Sequence, residues 1–285
     1  MRRVLVATDF SARSQCALRR AGLIARRLNA ELTLVHVVDD DQPTALIDAE
    51  KREGSKLLDE KISSLPELRD LLCRSAIPAG EAFDGILRMA QTIRADLIVL
   101  GRHRKELLQD IFIGTTAERV IRTGPFPVLM VKKEVDRPYA KALAAIDASK
   151  VSAHALKTAL SLGLLDHVPF DIVHAYRAVG KGRLLVAGVT QGEIDSYANS
   201  ERQEAAAELH ALLAEHGLDE HGYPLRIEEG RPFDVISRVV NEVMPDLLVI
   251  GTHGRSGIAK LLMGSVAEEV LRSLDVDILA VPPIQ

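Results

Sequence analysis

The feature that most restricts this chain is an internal duplication. "VLVATDFSARSQCAL" (Val4 to Leu18) aligns with "ALAAIDASKVSAHAL" (Ala142 to Leu156), pairing Asp9 with Asp147. The next apolar run sets "LTLVHVV" against "FDIVHAY" and pairs His36 with His174, so Asp and His stand 27 residues apart in both copies. From Gly80 and Gly230 onward, "GEAFDGILRMAQTIRADLIVLGRH" matches "GRPFDVISRVVNEVMPDLLVIGTH" without a gap. The offset between copies is 138 at the Asp and His and 150 from that glycine on, so the second copy carries a 12-residue insertion. Solenoid repeats have periods of about 20–50 residues. A unit near half of 285 residues is instead a whole domain of ordinary size.

Each copy is therefore long enough to bury a real core. In the first, Val4–Ala7, Leu32–Val38, Leu97–Leu100 and Val128–Val131 are short, nearly continuous apolar runs, as expected of strands covered on both faces in a parallel sheet. Amphipathic stretches lie between them: Ala17, Leu18, Ala21, Ile24, Ala25 and Leu28 recur at helical spacing after Ser11 or Ser14, either of which can cap the helix. Asp84 and Asp234 occupy helix N-terminal positions in the same way. The pattern is β-α-β-α-β-α-β-α-β in each copy, an α/β fold with two tandem five-stranded parallel-sheet domains. The charged segment Lys132–Tyr139 reads as the linker, dividing the chain into 1–133 and 138–285. Gln42–Ser75 reads as mostly helical, with Gly54 as a weak point. Val179–Tyr223 reads as a loop followed by a helix near Ile194–Glu215, with Gly180–Gly192 the most mobile stretch.

Composition removes several classes of function. A net charge of −4, no Trp and only 4% aromatic residues provide neither a basic field nor a stacking surface for nucleic acid. The apolar run in "MRRVLVATDF" stops at Thr8 and Asp9, too early for a signal peptide, and no stretch reaches the roughly 20 apolar residues of a membrane span. Cys16 and Cys73 alone form no disulfide framework, which fits a reducing compartment. The expected location is the cytoplasm, without a membrane partner.

The strongest chemical signal is "LLVIGTHGRSGIAKLLMGSVAEEVLR" (Leu247 to Arg272), where a buried strand ends at Gly251, Gly254 follows, and Gly264-Ser265 opens a helix. Glycines permit close backbone approach, and a helix N-terminus presents unpaired N–H groups to an anion. The amides of Gly254, Gly264, Ser265 and Val266 are expected to hold polyphosphate oxygens, with Arg255 or Ser256 closing over them. Three glycines alone fit an empty turn equally well. Their place at the carboxyl end of a strand, together with the second glycine-plus-hydroxyl element, favours binding.

The spacing G-x2-G-x9-G-[S/T], the Asp after the first strand ("TD", "ID") and the "HV" ending the second resemble the universal stress protein family, over essentially the whole chain and in two copies. The resemblance implies a Rossmann-like domain of the adenine nucleotide alpha hydrolase type and a cytoplasmic stress-response role. It also implies that members keeping the loop bind ATP, or ADP or AMP, with Mg2+ admissible. By position, Asp147 and Ala175 would flank the adenine, while Gly251, Gly254, Gly264 and Ser265 would hold ribose and phosphates. The family usually has Val at the position of Ala175, whose backbone makes the contact. In such proteins the last strands pair across a dimer; here "PVLMV" and "DILAV" would pair within one chain, giving a pseudo-two-fold monomer that could still dimerise. The resemblance names no protein partner.

In the first copy the loop reads "GRHRKELLQDIFIGTT". Asp9, Val37, Gly101, Gly114 and Thr115 are retained, but Arg104 replaces the middle glycine. Either Arg104 fills the site as a built-in cation or it pairs with a phosphate; the first outcome is favoured, and this site is expected to be empty. Histidines 36, 174, 103 and 253 recur at repeat-related positions, but none has a Cys or carboxylate at ligand spacing, so no metal is expected. The chain has no Walker lysine after Gly264, and "DFSARS" and "DASKVS" lack the glycines of a pyrophosphatase S-G-G-x-D-S loop. No residue is assigned a catalytic role, and the expected turnover is slow or absent. Asp275 and Asp277 replace Pro125 and Pro127 of the first copy, so the second edge should behave differently.

Overall fold

The computed structural model describes residues 2–102, 115–135, 137–218, 222–254 and 263–284. The first copy runs β1 (Arg3–Ala7), α1 (Ala12–Leu28), β2 (Glu31–Val35), α2 (Thr44–Ser64), a 3-10 turn (Pro66–Leu68), β3 (Cys73–Ala76), α3 (Ala82–Ile93), β4 (Leu97–Gly101), α4 (Thr115–Thr123) and β5 (Val128–Val131). The second runs β6 (Ala142–Ala145), α5 (Lys150–Ser161), β7 (Phe170–Tyr176), α6 (Lys181–Val186), α7 (Gln191–Glu215), β8 (Leu225–Glu229), α8 (Pro232–Val243), β9 (Leu247–Gly251), α9 (Ser265–Ser273) and β10 (Asp277–Val281).

The strands form one ten-stranded sheet in the order β3-β2-β1-β4-β5-β10-β9-β6-β7-β8. Pairing is parallel within each copy. Only β5 and β10 are antiparallel, with Ile278 opposite Met130 and Leu279 opposite Leu129. The last strands of the two copies thus cover each other's edge. One core packs α1, α2, α5 and α7 on one face of the sheet, and a second packs α3, α4, α8 and α9 on the other. Both cores run through the two copies. No helix among the described residues is long and apolar enough to cross a membrane.

Several local expectations change. The second strand stops at Val35 rather than Val38; His36 and Val38 still donate to Ala76 and Pro78, but the regular ladder has ended. Gln42–Ser75 contains α2, the 3-10 turn and the start of the edge strand β3. Gly54 is a close-packing position, since a Cβ there would lie 3.0 Å from Ile77 Cδ1. Gly180–Gly192 holds α6 and the start of α7, where Thr190 and Glu193 form a capping box that begins the helix three residues before Ile194.

Asp277 stands where the first copy has Pro127, and the exchange builds the junction. Its carboxylate is fully buried and accepts the Lys132 and Lys133 amides at 2.8 and 3.1 Å, the Tyr139 hydroxyl at 2.9 Å and Arg20 Nε at 3.2 Å. Arg20 comes from α1, 5% exposed, lies over the Tyr139 ring at 4.0 Å and also donates to Arg137 O at 2.8 Å. Burial and then the neighbouring Asp277 charge push the Tyr139 phenol well above its ordinary pKa, so it remains a donor. A buried ion pair persists only when its remaining hydrogen-bonding capacity is met. Here the linker supplies those partners.

Candidate functional site

In a sheet ordered like this, the first and fourth strands of a copy diverge to helices on opposite faces, leaving a crevice at their carboxyl ends. In the second copy a cavity of about 670 Å³ occupies that place, between the ends of β6, β7 and β9. This lies within the range of about 300–1,000 Å³ for small-molecule sites.

Asp147 follows β6 in a tight turn. Ser149 donates its amide (3.1 Å) and hydroxyl (2.5 Å) to Asp147 Oδ1, and the Ser149 side chain in turn caps α5 by accepting from Ser152 N. Ala148, between them, adopts φ 57, as Phe10 adopts φ 61 in the first copy. A non-glycine residue in this region is strained, and both copies retain it to turn the aspartate over the strand end. His174, 3% exposed, secures the same turn from β7: its Nδ1–H donates to Ile146 O at 2.7 Å. His36 does the same to Thr8 O at 2.9 Å. The repeated histidines are struts for the aspartate turn.

Across the crevice α9 begins at Ser265 with no side-chain cap. Its first internal bond runs from Glu268 N to Gly264 O, so the amides of Ser265, Val266 and Ala267 have no partner among the described residues, and all three residues line the cavity. The expected role of Gly264 is corrected: its amide donates to Thr252 O at 2.8 Å and is not available to a phosphate. Its φ of −63 and ψ of 142 suit any residue. Gly254 does not occupy the left-handed region; a Cβ there would lie 2.9 Å from Asp147 Oδ2. Gly251 lines the cavity, and a Cβ there would meet Val151 Cγ1 of α5 at 3.1 Å. Arg255 and Ser256 lie outside the described residues.

Ala175 is at the end of β7. Tyr176 O accepts from Gly230 N at the β8 side, so strand alternation turns the Ala175 backbone toward β6, which ends at Ala145 where the cavity begins. Its small side chain has a packing reason. In the first copy Gly85 admits Val37, whose Cγ1 is 2.7 Å from where a Gly85 Cβ would lie; the second copy inverts the sizes with Ala175 and Val235. The far wall comes from α7, in the region of the insertion, with Glu201, Glu204 and Glu208 at one-face spacing. That wall was not legible beforehand, because nothing in the sequence says where the inserted helix leans. Thr252 was not singled out in the sequence, and His253 was weighed there only as a metal ligand.

The first copy keeps the aspartate turn: Ser11 donates its amide and hydroxyl to Asp9 Oδ1 at 3.0 and 2.6 Å. Burial pushes the Asp9 carboxyl up, but hydrogen bonds from the Ser11 and Ser14 side chains and the Ser11 amide outweigh it and hold the pKa below its ordinary value. The cavity there measures about 250 Å³ and is lined by Asp9, Val37, Gly101, Arg13, Arg102 and Thr116 among others. A Cβ on Gly101 would lie 2.7 Å from Arg13 O, so that glycine serves the contact of α1 with β4. Thr115 begins α4. Arg104 and Gly114 lie outside the described residues.

The profile of the universal stress protein family matches residues 1–132 and again 138–282. Universal stress protein E of Escherichia coli is 25% identical over 300 residues, covering 99% of this chain and 94% of that protein. Universal stress protein MJ0531 of Methanocaldococcus jannaschii is 32% identical over 142 residues, 46% of this chain and 82% of its own. Among solved structures, a universal stress protein from Archaeoglobus fulgidus superposes with a TM-score of 0.75 at 19% identity, covering 98% of both chains. One from Pseudomonas aeruginosa superposes at 0.66 with 21% identity, covering 99% of this chain and 94% of its own. The duplicated sequence, the ten-stranded sheet and these two successive matches agree, and the chain belongs to the universal stress protein family, with its domain present twice in tandem.

Proposed function

We propose that the second copy binds ATP or a related adenine nucleotide, ADP or AMP, and that the protein acts in the cytoplasm as a nucleotide-dependent stress sensor or regulator. The observation that carries this reading is the convergence of three helix N–H groups, at Ser265, Val266 and Ala267, on the cavity whose opposite side holds Asp147. Asp147 and the Ala175 backbone would meet the adenosine end, and the start of α9 the phosphates, with Gly251 and Gly254 keeping the path between them clear. Gly264 serves this arrangement by leaving the approach to α9 free of a side chain. No group is placed as a general base, so turnover is slow or absent and the output is a surface shown to a protein partner. The two copies stand in a pseudo-two-fold relation about β5 and β10, and the first serves as the structural partner. Calorimetric titration with ATP is expected to give one nucleotide per chain and none for Gly254→Arg, whose Cβ would meet the Asp147 carboxylate. A stoichiometry of two overturns the single-site assignment.

A second reading, a nucleotide-free interaction or chaperone-like scaffold, draws on the charge of the cavity. Its described lining includes Asp147, Glu201, Glu204 and Glu208 against one arginine, Arg177, a balance that opposes a polyphosphate unless cations accompany it. Protein isolated from cells without added ligand and then denatured releases adenine nucleotide under the first reading and none under the second.

A further inference from the structure

The second copy carries an element that the first lacks. In the first copy α2 begins at Thr44, soon after the second strand, whereas in the second α6 stands between β7 and α7. α6 has no buried residue, and its Leu185 and Val186 are 58% and 91% exposed. Apolar side chains held in water gain by being covered. The segment is tied down only at its ends. At its start the Gly180 amide donates to the Tyr197 hydroxyl at 3.1 Å, and Lys181 Nζ pairs with Glu229 at 3.0 Å. At its far end the Thr190–Glu193 capping box fixes the start of α7. Just before that box Gly188 adopts φ 69, with open space where a Cβ would stand.

These ties set α6 beside the mouth of the cavity. Tyr176 and Arg177, which lead into the segment, line the cavity. Tyr197 stands one helical turn before Glu201 on the same face of α7, and Glu201 and Glu204 are part of the cavity wall. The charges are complementary. From Arg177 to Thr190 the segment contains Arg177, Lys181 and Arg183 and no carboxylate. The Arg183 side chain has no hydrogen bond or ion pair among the described residues, and neither have the carboxylates of Glu201 and Glu204. An unpaired cation thus projects from a loosely held helix next to a wall of unpaired anions.

We propose that α6 is a lid for the cavity of the second copy. With a ligand in place it swings about its anchored start and Gly188 toward α7, sets Arg183 between Glu201 and Glu204, and lays Leu185 and Val186 over the mouth. The inference rests on the nucleotide reading and deepens it, because it names what governs entry and release. An anionic ligand meets a wall of carboxylates, and the closing lid brings positive charge to that wall as the ligand settles. Arg183 is a positioning residue here: it holds the lid and does not touch the ligand. The first copy, with its smaller cavity, has no counterpart of α6.

The test uses limited trypsin digestion beside calorimetry. Saturating ATP is expected to slow cleavage after Arg183 about tenfold, while cleavage after Arg52 and Lys56 in α2 of the first copy keeps its rate. Arg183→Glu, on a helix without buried residues, leaves the fold intact and is expected to speed release of a fluorescent ATP analogue about fivefold, with the association rate changed less. Adding Glu204→Lys to Arg183→Glu restores the opposite charges across the mouth and is expected to return release toward the wild-type rate. If ATP binds and cleavage after Arg183 is unchanged, or Arg183→Glu releases the analogue at the wild-type rate, or the charge swap fails to slow release, the lid is overturned and the nucleotide reading stands. A flat ATP titration of the wild type removes the nucleotide reading, and the lid with it.

Discussion

Asp147 shows how much one side chain is asked to do. Its Oδ1 takes two hydrogen bonds from Ser149, and Oδ2 faces Gly254 across the crevice. Ser149 is the hinge of this arrangement, because the same side chain caps α5. Ser149→Ala is expected to lower stability by about 1 kcal/mol, measured by urea denaturation, and to weaken nucleotide binding as the carboxylate loses its orientation. Ser11→Ala, its counterpart in the first copy, is expected to have a similar stability effect and leave nucleotide affinity unchanged. The motif behind these bonds, D-x-S-x2-S in both copies, was legible in the sequence as a strand end followed by a cap. The loop glycines were legible as a site but not in their reasons. Gly254 is required by the neighbouring carboxylate rather than by its own φ, and the Gly264 amide is already bonded to Thr252. A glycine's place in a motif reveals that space is needed; it does not reveal where the N–H points.

Among the elements, α9 links the cavity to the junction. Its N-terminus opens on the site, and at the other end Lys132 Nζ reaches the Leu271 and Leu274 carbonyls, the latter at 2.7 Å. A cation among the last carbonyls of a helix satisfies orphaned acceptors and complements the dipole. Lys132→Met is expected to cost about 1–2 kcal/mol and to speed hydrogen exchange in the last turn of α9 ahead of the rest of the second core. The helices with apolar spacing, α1, α3 and α8, were readable because one face of each meets the sheet. The strand β3 was not, since it is a four-residue edge strand whose middle residues, Arg74 and Ser75, are exposed and polar, and no periodicity marks such a strand. The segment containing α6 was obscured by its glycines. Its helix has no buried residue, and its tie to the rest of the copy is polar: Lys181 Nζ reaches Glu229 at the end of β8 at 3.0 Å.

At the scale of the whole molecule, the two copies behave as one body because a buried charge ties α1, the linker and β10 together. Asp277→Ala leaves Arg20 buried without its counter-ion, and a loss of about 3–5 kcal/mol is expected, read as an earlier unfolding midpoint for both halves by calorimetry. Tyr139→Phe removes one bond to the same carboxylate and should cost less. The duplication made the two domains and their shared edge readable. The junction chemistry was visible only as an unexplained exchange of prolines for aspartates, since its partners come from distant segments. The antiparallel meeting of β5 and β10 has one more consequence. It points the strands of the two copies in opposite directions, and each cavity lies at the carboxyl ends of its own strands. The two mouths therefore open on opposite rims of the molecule, so a body seated over one leaves the other uncovered, and the protein can be gripped from two sides at once.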